Sequence, residues 1–167
     1  MRSVLICLVG AAGLLATAAT PALARPWLEG VTSADLIKTY QQTGLRCAGP
    51  TVEETRLKWT CKGKKRRATV SVEFVGLTRN YIEYLTATVQ QSGTSPDDRI
   101  AAAFLGSVAT LPYDAAEPRT ARRWVEEQIA NGGETVIGTA RFRLFGSPGA
   151  RSLDIQAVGS DFQPPDR

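Results

Sequence analysis

Histidine is absent from the 167 residues of this chain. Histidine is the usual general base beside a nucleophilic serine or cysteine, and it is a common ligand of zinc and copper. Its absence excludes most hydrolase mechanisms and the metal sites that contain histidine. The sequence also lacks the glycine-rich motifs that bind nucleotide phosphates, and no acidic loop has calcium-ligand spacing. We therefore expect no metal and no nucleotide cofactor.

Two catalytic arrangements do not need histidine, namely a Ser-Lys dyad and a carboxylate pair. No serine lies in a dyad signature, and the lysines lie at Lys38 or within residues 58–65. Adjacent acids occur at Glu53-Glu54, Asp97-Asp98 and Glu126-Glu127. Each pair also has a structural explanation, because the first begins a predicted strand, the second precedes a helix and the third follows two arginines at helical spacing. A carboxylate-type secreted enzyme remains an alternative to a binding protein.

Long apolar runs are missing except near the amino terminus. Met1-Arg2-Ser3 forms a short basic start, and residues 4–19 form an apolar run. Ala22-Leu23-Ala24 then supplies small residues at the positions that signal peptidase accepts. The run has about 16 residues, whereas a membrane-spanning helix needs ~20. This pattern predicts a cleavable signal peptide over residues 1–24 and disfavours the alternative of an uncleaved anchor.

Cleavage after Ala24 would leave a mature chain that begins at Arg25. Cys7 follows Ile6 and lies too close to the start for a lipoprotein signal. We expect a secreted or periplasmic protein with no transmembrane segment after cleavage, and the length left is typical of one domain. The high ratio of arginine to lysine and the alanine-rich leader favour a bacterial source.

Cysteine is scarce, with three residues in the whole chain. Removal of the leader also removes Cys7 and leaves Cys47 and Cys61 in an oxidising compartment. We expect these two to be paired, rather than to be free thiols. The bridge would contribute roughly 3 kcal/mol by restricting the unfolded chain.

Positive charge is concentrated in one segment. The chain has 20 basic and 16 acidic residues, but six of the basic ones lie within ten positions: Lys58, Lys62, Lys64, Lys65, Arg66 and Arg67. The rest of the chain carries slightly more acid than base. The high calculated pI thus describes one patch, and general affinity for nucleic acid does not follow from it.

Hydrophobic periodicity predicts three helices and five strands. Thr32 and Asp35 form a capping box before the first helix, Ser95 caps the second, and Pro118 opens the third. The predicted helices cover residues 33–43, 95–111 and 118–131. The predicted strands cover residues 53–61, 68–74, 81–90, 135–144 and 153–157, with the first two joined by a turn at Lys62-Gly63-Lys64-Lys65. Trp59 and Trp124 are predicted to be in the core.

This pattern indicates an α+β fold with an antiparallel five-stranded sheet, helices packed on one face and one disulfide. The order α-βββ-αα-ββ would form a single domain over residues 25–158, followed by a flexible C-terminal tail over residues 159–167. The order resembles the secretion-chaperone-like fold, which has one further helix at its end. Members of that fold are typically cytosolic, and the resemblance is one of element order, so no function is transferred from it.

The basic segment is the sharpest functional feature in the sequence. Lys58, Lys62, Lys64, Lys65, Arg66 and Arg67 on a hairpin would form a low-specificity anion site, although charged hairpin tips are commonly only solvated. Tyr84, Arg141 and Arg143 are candidate contacts on the water-facing side of the sheet. We expect a non-enzymatic binding or accessory domain of unknown partner, such as an acidic protein or an anionic polymer or surface. A purely structural envelope protein is the other alternative.

Overall fold

A computed structural model describes residues 25–93 and 96–163. The predicted leader, Ser95 and residues 164–167 lie outside these residues. The helices are α1 Ser33–Gln42, α2 Asp98–Val108 and α3 Pro118–Gln128. The strands are β1 Arg46–Glu53, β2 Arg56–Lys65, β3 Ala68–Thr78, β4 Tyr81–Gln91, β5 Gly133–Ile137, β6 Ala140–Ser147 and β7 Ala150–Ala157.

The sheet has seven antiparallel strands in the order β1-β2-β3-β4-β7-β6-β5. The prediction of five strands in the order α-βββ-αα-ββ is therefore wrong, and the observed order is α-ββββ-αα-βββ. The resemblance to the secretion-chaperone-like fold rested on an order with two fewer strands. Both additional strands lie where the alternation of apolar and polar residues is weak or changes phase.

The first additional strand is β1, at one edge of the sheet. All of its side chains except that of Cys47 are exposed, so it has no apolar alternation to detect. Gly49 and Pro50 interrupt it, and its pairing with β2 shifts between Ala48 and Thr51. Glu53 ends β1 instead of beginning the next strand, and Glu54 occupies the following turn with a φ of 54°.

The second additional strand arises because the predicted strand over residues 135–144 is a hairpin of β5 and β6. Gly138 and Thr139 form its two-residue turn, with a φ of 59° at Gly138. A Cβ atom at Gly138 would lie 2.1 Å from the carbonyl oxygen of Ala115, so glycine is required there. The turn reverses the phase of the alternation, which is why Ile137 is buried on one side of it and Val136 is exposed.

The basic hairpin turns later than predicted. Lys65 pairs with Ala68, so the turn is Arg66-Arg67 rather than residues 62–65. Arg66 has a φ of 54°, a left-handed conformation that non-glycine residues seldom adopt. Lys62, Lys64 and Lys65 consequently belong to β2, and their side chains alternate between the two faces of the sheet.

The disulfide prediction is confirmed. Cys47 and Cys61 are bonded, with an S–S distance of 2.05 Å, and they occupy directly paired positions of β1 and β2. The bond thus ties the edge strand to the sheet at a point where β1 has few buried side chains. Reduction should loosen this edge first.

The three helices cover one face of the sheet, and the core lies between the helices and that face. α1 contacts β1 and β2, α2 contacts β4 and β7, and α3 packs beside α2 and against β5. Trp59 is buried as predicted, and Trp124 packs against the core while remaining partly exposed. None of the helices described is long and apolar enough to cross a membrane.

The helix boundaries follow local capping. Thr32 caps α1 by accepting a hydrogen bond from the backbone N–H of Asp35, as predicted. α2 begins later than predicted, because its N-cap is Asp97. The Asp97 carboxylate accepts a hydrogen bond from the backbone N–H of Arg99. Pro118 is the first residue of α3.

Candidate functional site: a cleft between α1 and α2

The width of the sheet produces a cleft between α1 and α2. α1 lies over β1 and β2, whereas α2 lies over β4 and β7, so β3 passes beneath the space between them. At a strand spacing of ~4.8 Å, these two helix positions are about 14 Å apart. Helices that pack directly are separated by only about 8–10 Å. The two helices therefore leave a groove between them.

The larger of two cavities in this groove has a volume of about 580 Å³. α1 contributes Tyr40 to its wall, and α2 contributes Ile100, Ala103 and Phe104. The basic hairpin closes one end of the cavity with Lys65 and Arg66. This volume falls in the range of about 300–1,000 Å³ that is usual for small-molecule sites.

The charged side chains of this cavity are mostly cationic. Lys65, Arg66 and Arg99 line it together with one carboxylate, that of Asp97. The Nζ atom of Lys65 donates a hydrogen bond to the carbonyl oxygen of Thr43. Within the described residues neither Arg66 nor Arg99 has an ion-pair partner. Because Asp97 is already engaged in capping α2, the cavity favours an anion.

Tyr40 lies at the junction with a second cavity of about 270 Å³. This second cavity shares Thr39, Tyr40 and Ser107 with the first. Tyr40 is only 4% exposed, and its hydroxyl has no hydrogen-bond partner among residues 25–93 and 96–163. Burial raises the pKa of Tyr40 well above its usual value, so this hydroxyl stays protonated and can donate.

The predicted anion-site residues are divided between the two faces of the sheet. Lys65 and Arg66 line the cleft, whereas Lys58, Lys62 and Lys64 project from the opposite, open face. The cause is the two-residue period of β2. Arg67 is exposed at the turn. The six residues do not form one cluster.

Lys58 is not a free cation. Its Nζ atom lies 3.0 Å from a carboxylate oxygen of Glu53 and 3.7 Å from one of Glu73. The hydrogen bond to Glu53, with the charge of Glu73 beside it, raises the pKa of Lys58. This residue stabilises the β1-β2-β3 edge and is unsuited to holding an external anion.

Sequence reasoning missed Arg46 and Arg99 as site residues. Arg46 pairs with Lys62 across β1 and β2, so it extends the cations of the open face. Arg99 lines the cleft from the first turn of α2. Recognition of β1 as a strand would have indicated that Arg46 lies beside the cations of β2. Arg99 is far from the basic hairpin in sequence, and no pattern in the sequence indicated that the two lie close together.

The candidate contacts on the open face do not join the basic hairpin. Arg141 pairs with Glu134 at 3.4 Å, and the guanidinium of Arg143 lies 5.1 Å from the ring centroid of Phe145. Both arginines are on β6, four strands from β2 and so about 19 Å away. Asp154 on β7 lies between them and the hairpin. A continuous cationic strip is therefore not formed.

The C-terminal segment covers the third candidate, Tyr84. Residues 159–163 belong to the segment predicted as a flexible tail, and their Phe162 ring lies 5.0 Å from the ring of Tyr84. Tyr84 is 3% exposed as a result. Arg56 also contacts this segment, through Asp161 at 2.8 Å and the ring of Phe162 at 5.4 Å. Tyr84 is therefore not accessible to an external ligand.

The adjacent acids predicted as an alternative catalytic pair are turned apart. Asp97 lines the cleft, but Asp98 lies 3.5 Å from the buried guanidinium of Arg151. Glu126 pairs with Arg122 at 3.1 Å, as its helical spacing suggested. In the described part of the chain, no group of acids and cysteines is arranged to hold a metal ion. The larger cavity thus presents one carboxylate to a ligand, that of Asp97, and Asp35 lines the smaller cavity.

Comparison with known proteins adds no relative to this description. No family model, curated protein or solved structure matches the chain.

Proposed function

We propose that this chain is an exported binding protein that holds an anionic small molecule in the cleft between α1 and α2. The observation that carries the proposal is the cavity of about 580 Å³, which three cations line with a single carboxylate. An anion would neutralise Arg66 and Arg99, which line the same cavity. Charge-assisted hydrogen bonds from guanidinium groups are among the stronger polar contacts in proteins.

Export is part of the proposal and is supported by the sequence of the leader. The Cys47–Cys61 disulfide is compatible with an oxidising compartment. An exported binding protein meets its ligand outside the cytoplasm, where cations near the mouth of a site accelerate capture. Arg67 is exposed on the same hairpin and is suited to this steering role.

The test compares two variants that lose the same charge. Arg66→Gln/Arg99→Gln removes two cations from the cleft, and Arg119→Gln/Arg123→Gln removes two exposed cations from α3. Anilinonaphthalene sulfonate, a fluorescent anion, serves as the probe. The first variant should bind it about 10- to 30-fold more weakly, because two partly exposed ion pairs contribute up to about 1 kcal/mol each.

The α3 variant should bind the probe like the wild type, and the affinity of the wild type should fall as salt is raised. Equal affinity of the two variants would show that the cleft does not hold the anion. Near-ultraviolet circular dichroism of each variant excludes dye binding to a loosened core.

A second candidate is an anionic polymer on the open face. Arg46, Lys62 and Lys64 are exposed there, and none has an ion-pair partner within the described residues. Lys62→Gln/Lys64→Gln should elute from heparin at lower salt than the wild type, while Arg119→Gln/Arg123→Gln serves as the charge-matched control. Co-elution of the Lys62→Gln/Lys64→Gln variant with its control would exclude a specific role for this face.

A further inference from the structure

We infer that the ligand of the cleft is an anionic amphiphile, whose charged group lies at Arg66 and Arg99 and whose apolar chain runs along α2 toward Tyr40. This inference rests on the proposed function and names the class of ligand. It follows from the separation of charge and apolar surface along the cleft.

α1 and α2 run in opposite directions along the cleft, and the three cations lie at the end where α1 ends and α2 begins. The larger cavity joins the end of α1, at Thr43, to the start of α2, at Arg99. The smaller cavity joins the first half of α1, at Leu36, to Leu111, just beyond α2. Arg99 and Ser107 are eight residues apart on α2, which corresponds to ~12 Å of helix. A ligand that fills the larger cavity is therefore elongated.

The wall beyond the arginines is suited to hydrocarbon. Ile100, Ala103 and Phe104 project from one side, and the Tyr40 ring faces them from α1. The smaller cavity continues this surface with Val31, Leu36, Leu111 and Pro112, but the acid Asp35 lines it as well. The carboxylate of Asp35 accepts a hydrogen bond from the Thr32 hydroxyl, and the hydroxyls of Ser107 and Thr110 donate to backbone carbonyls. An inorganic anion would leave the apolar wall exposed to water, and a neutral hydrocarbon would leave the arginines unpaired. A molecule with both parts matches the larger cavity.

Tyr40 places an unsatisfied polar group beside the cleft. Buried hydroxyl groups in native proteins are almost always hydrogen-bonded. The hydroxyl of Tyr40 has no partner within the described residues, although the side chain is 96% buried and lines both cavities. Because the hydroxyl oxygen has less than 1 Å² of accessible surface, a polar atom of the ligand would complete this group only after the Tyr40 side chain turns toward the cavity.

The first experiment measures chain-length dependence. Straight-chain carboxylates from hexanoate to dodecanoate, below their micellar concentrations, compete with anilinonaphthalene sulfonate for the wild-type protein. Each methylene that enters the cleft should tighten binding about fourfold, until the chain outgrows the site. The alcohol of equal length should bind at least tenfold more weakly, since it cannot pair with the arginines.

The second experiment fills the cleft without changing its charge. Ala103→Trp places a large ring between α1 and α2, whereas Thr120→Trp places the same ring on the exposed side of α3. Ala103→Trp should weaken decanoate binding more than tenfold and acetate binding little. Thr120→Trp should affect neither. Equal unfolding midpoints in urea confirm that both variants fold.

The outcomes separate this inference from the function on which it rests. Affinity that does not change with chain length, together with weaker dye binding by Arg66→Gln/Arg99→Gln, overturns the amphiphile and leaves the anion site standing. Tight decanoate binding by Ala103→Trp also overturns the inference, because the chain would lie elsewhere. If Arg66→Gln/Arg99→Gln binds the dye as tightly as the α3 control variant, the proposed function itself is overturned.

Discussion

Replacement of Arg56 by methionine should strongly destabilise the protein, because it would leave a buried carboxylate without its cation. Glu83 is only 1% exposed, and its Oε2 atom accepts a hydrogen bond from Nε of Arg56 at 2.8 Å. The Arg56 side chain is itself 18% exposed. This hydrogen bond and the charge of Glu83 raise the pKa of Arg56, although burial opposes the shift. The pair joins β2 to β4 on the open face.

The size of the expected loss in stability is set mainly by the buried carboxylate of Glu83. Removal of one partner of a buried ion pair costs about 3–5 kcal/mol. The contact of Arg56 with Asp161 adds little, because Asp161 is 89% exposed and exposed pairs contribute at most about 1 kcal/mol. We therefore expect Arg56→Met to lower the free energy of unfolding by about 3–5 kcal/mol.

Urea denaturation of the oxidised protein measures this loss. The dependence of the unfolding free energy on urea concentration should be equal in the variants, which verifies the two-state assumption. Arg25→Met is the matched control, since it breaks an ion pair with Glu29 in which both side chains are largely exposed, and it should cost less than about 0.5 kcal/mol. The double variant Arg56→Met/Glu83→Leu should recover most of the loss, because apolar replacement of a buried pair is often neutral. A loss below about 1 kcal/mol for Arg56→Met would refute the reasoning.

Four further predictions concern the disulfide, two tyrosines and export. Reduction of Cys47–Cys61 should lower the free energy of unfolding by about 3 kcal/mol, and equal urea midpoints with and without reductant would contradict this. Tyr40→Phe should change stability by less than about 0.5 kcal/mol, because its hydroxyl has no partner among the described residues; a larger loss in the same assay would indicate a hidden acceptor. Burial, aided by the charge of Glu117, raises the pKa of Tyr113 to about 12. Its contribution to stability should thus be complete below about pH 10 and lost as the pH rises from about 10 to about 12, and ultraviolet titration in which every tyrosine ionises near pH 10 would argue against it. N-terminal sequencing of exported protein should give Arg25 as the first residue, whereas Met1 in a membrane fraction would mean that the leader is an anchor.

The parts of the fold that sequence reasoning predicted well are those with strong local signals. Thr32 caps α1 and Pro118 begins α3, because capping depends on residues within one turn. β3 shows apolar alternation over Ala68, Val70, Val72 and Phe74, and all four are buried. Where alternation was absent, as in the exposed edge strand β1, the strand was missed.

The hairpin of β5 and β6 was missed for a different reason. A two-residue turn at Gly138-Thr139 leaves an apparently unbroken alternation in the sequence while it changes which residues face the core. The glycine signal was present, but only the approach of the Ala115 carbonyl shows why glycine is needed. That contact joins segments more than 20 positions apart, so it is a property of the folded chain.

The amino-acid sequence by itself determined which cysteines could pair, where two helices begin and which segment carries the positive charge, because each depends on residue type and short-range spacing. Tertiary structure decided where each of those charged side chains lies. The period of β2 sends Lys62 and Lys64 to one face and Lys65 to the other, and only the folding of α2 over β4 and β7 brings Arg99 to Lys65 and Arg66. The cleft itself exists because α1 and α2 rest on strands too far apart for the helices to touch, and that spacing is set by strand order, which no local pattern encodes.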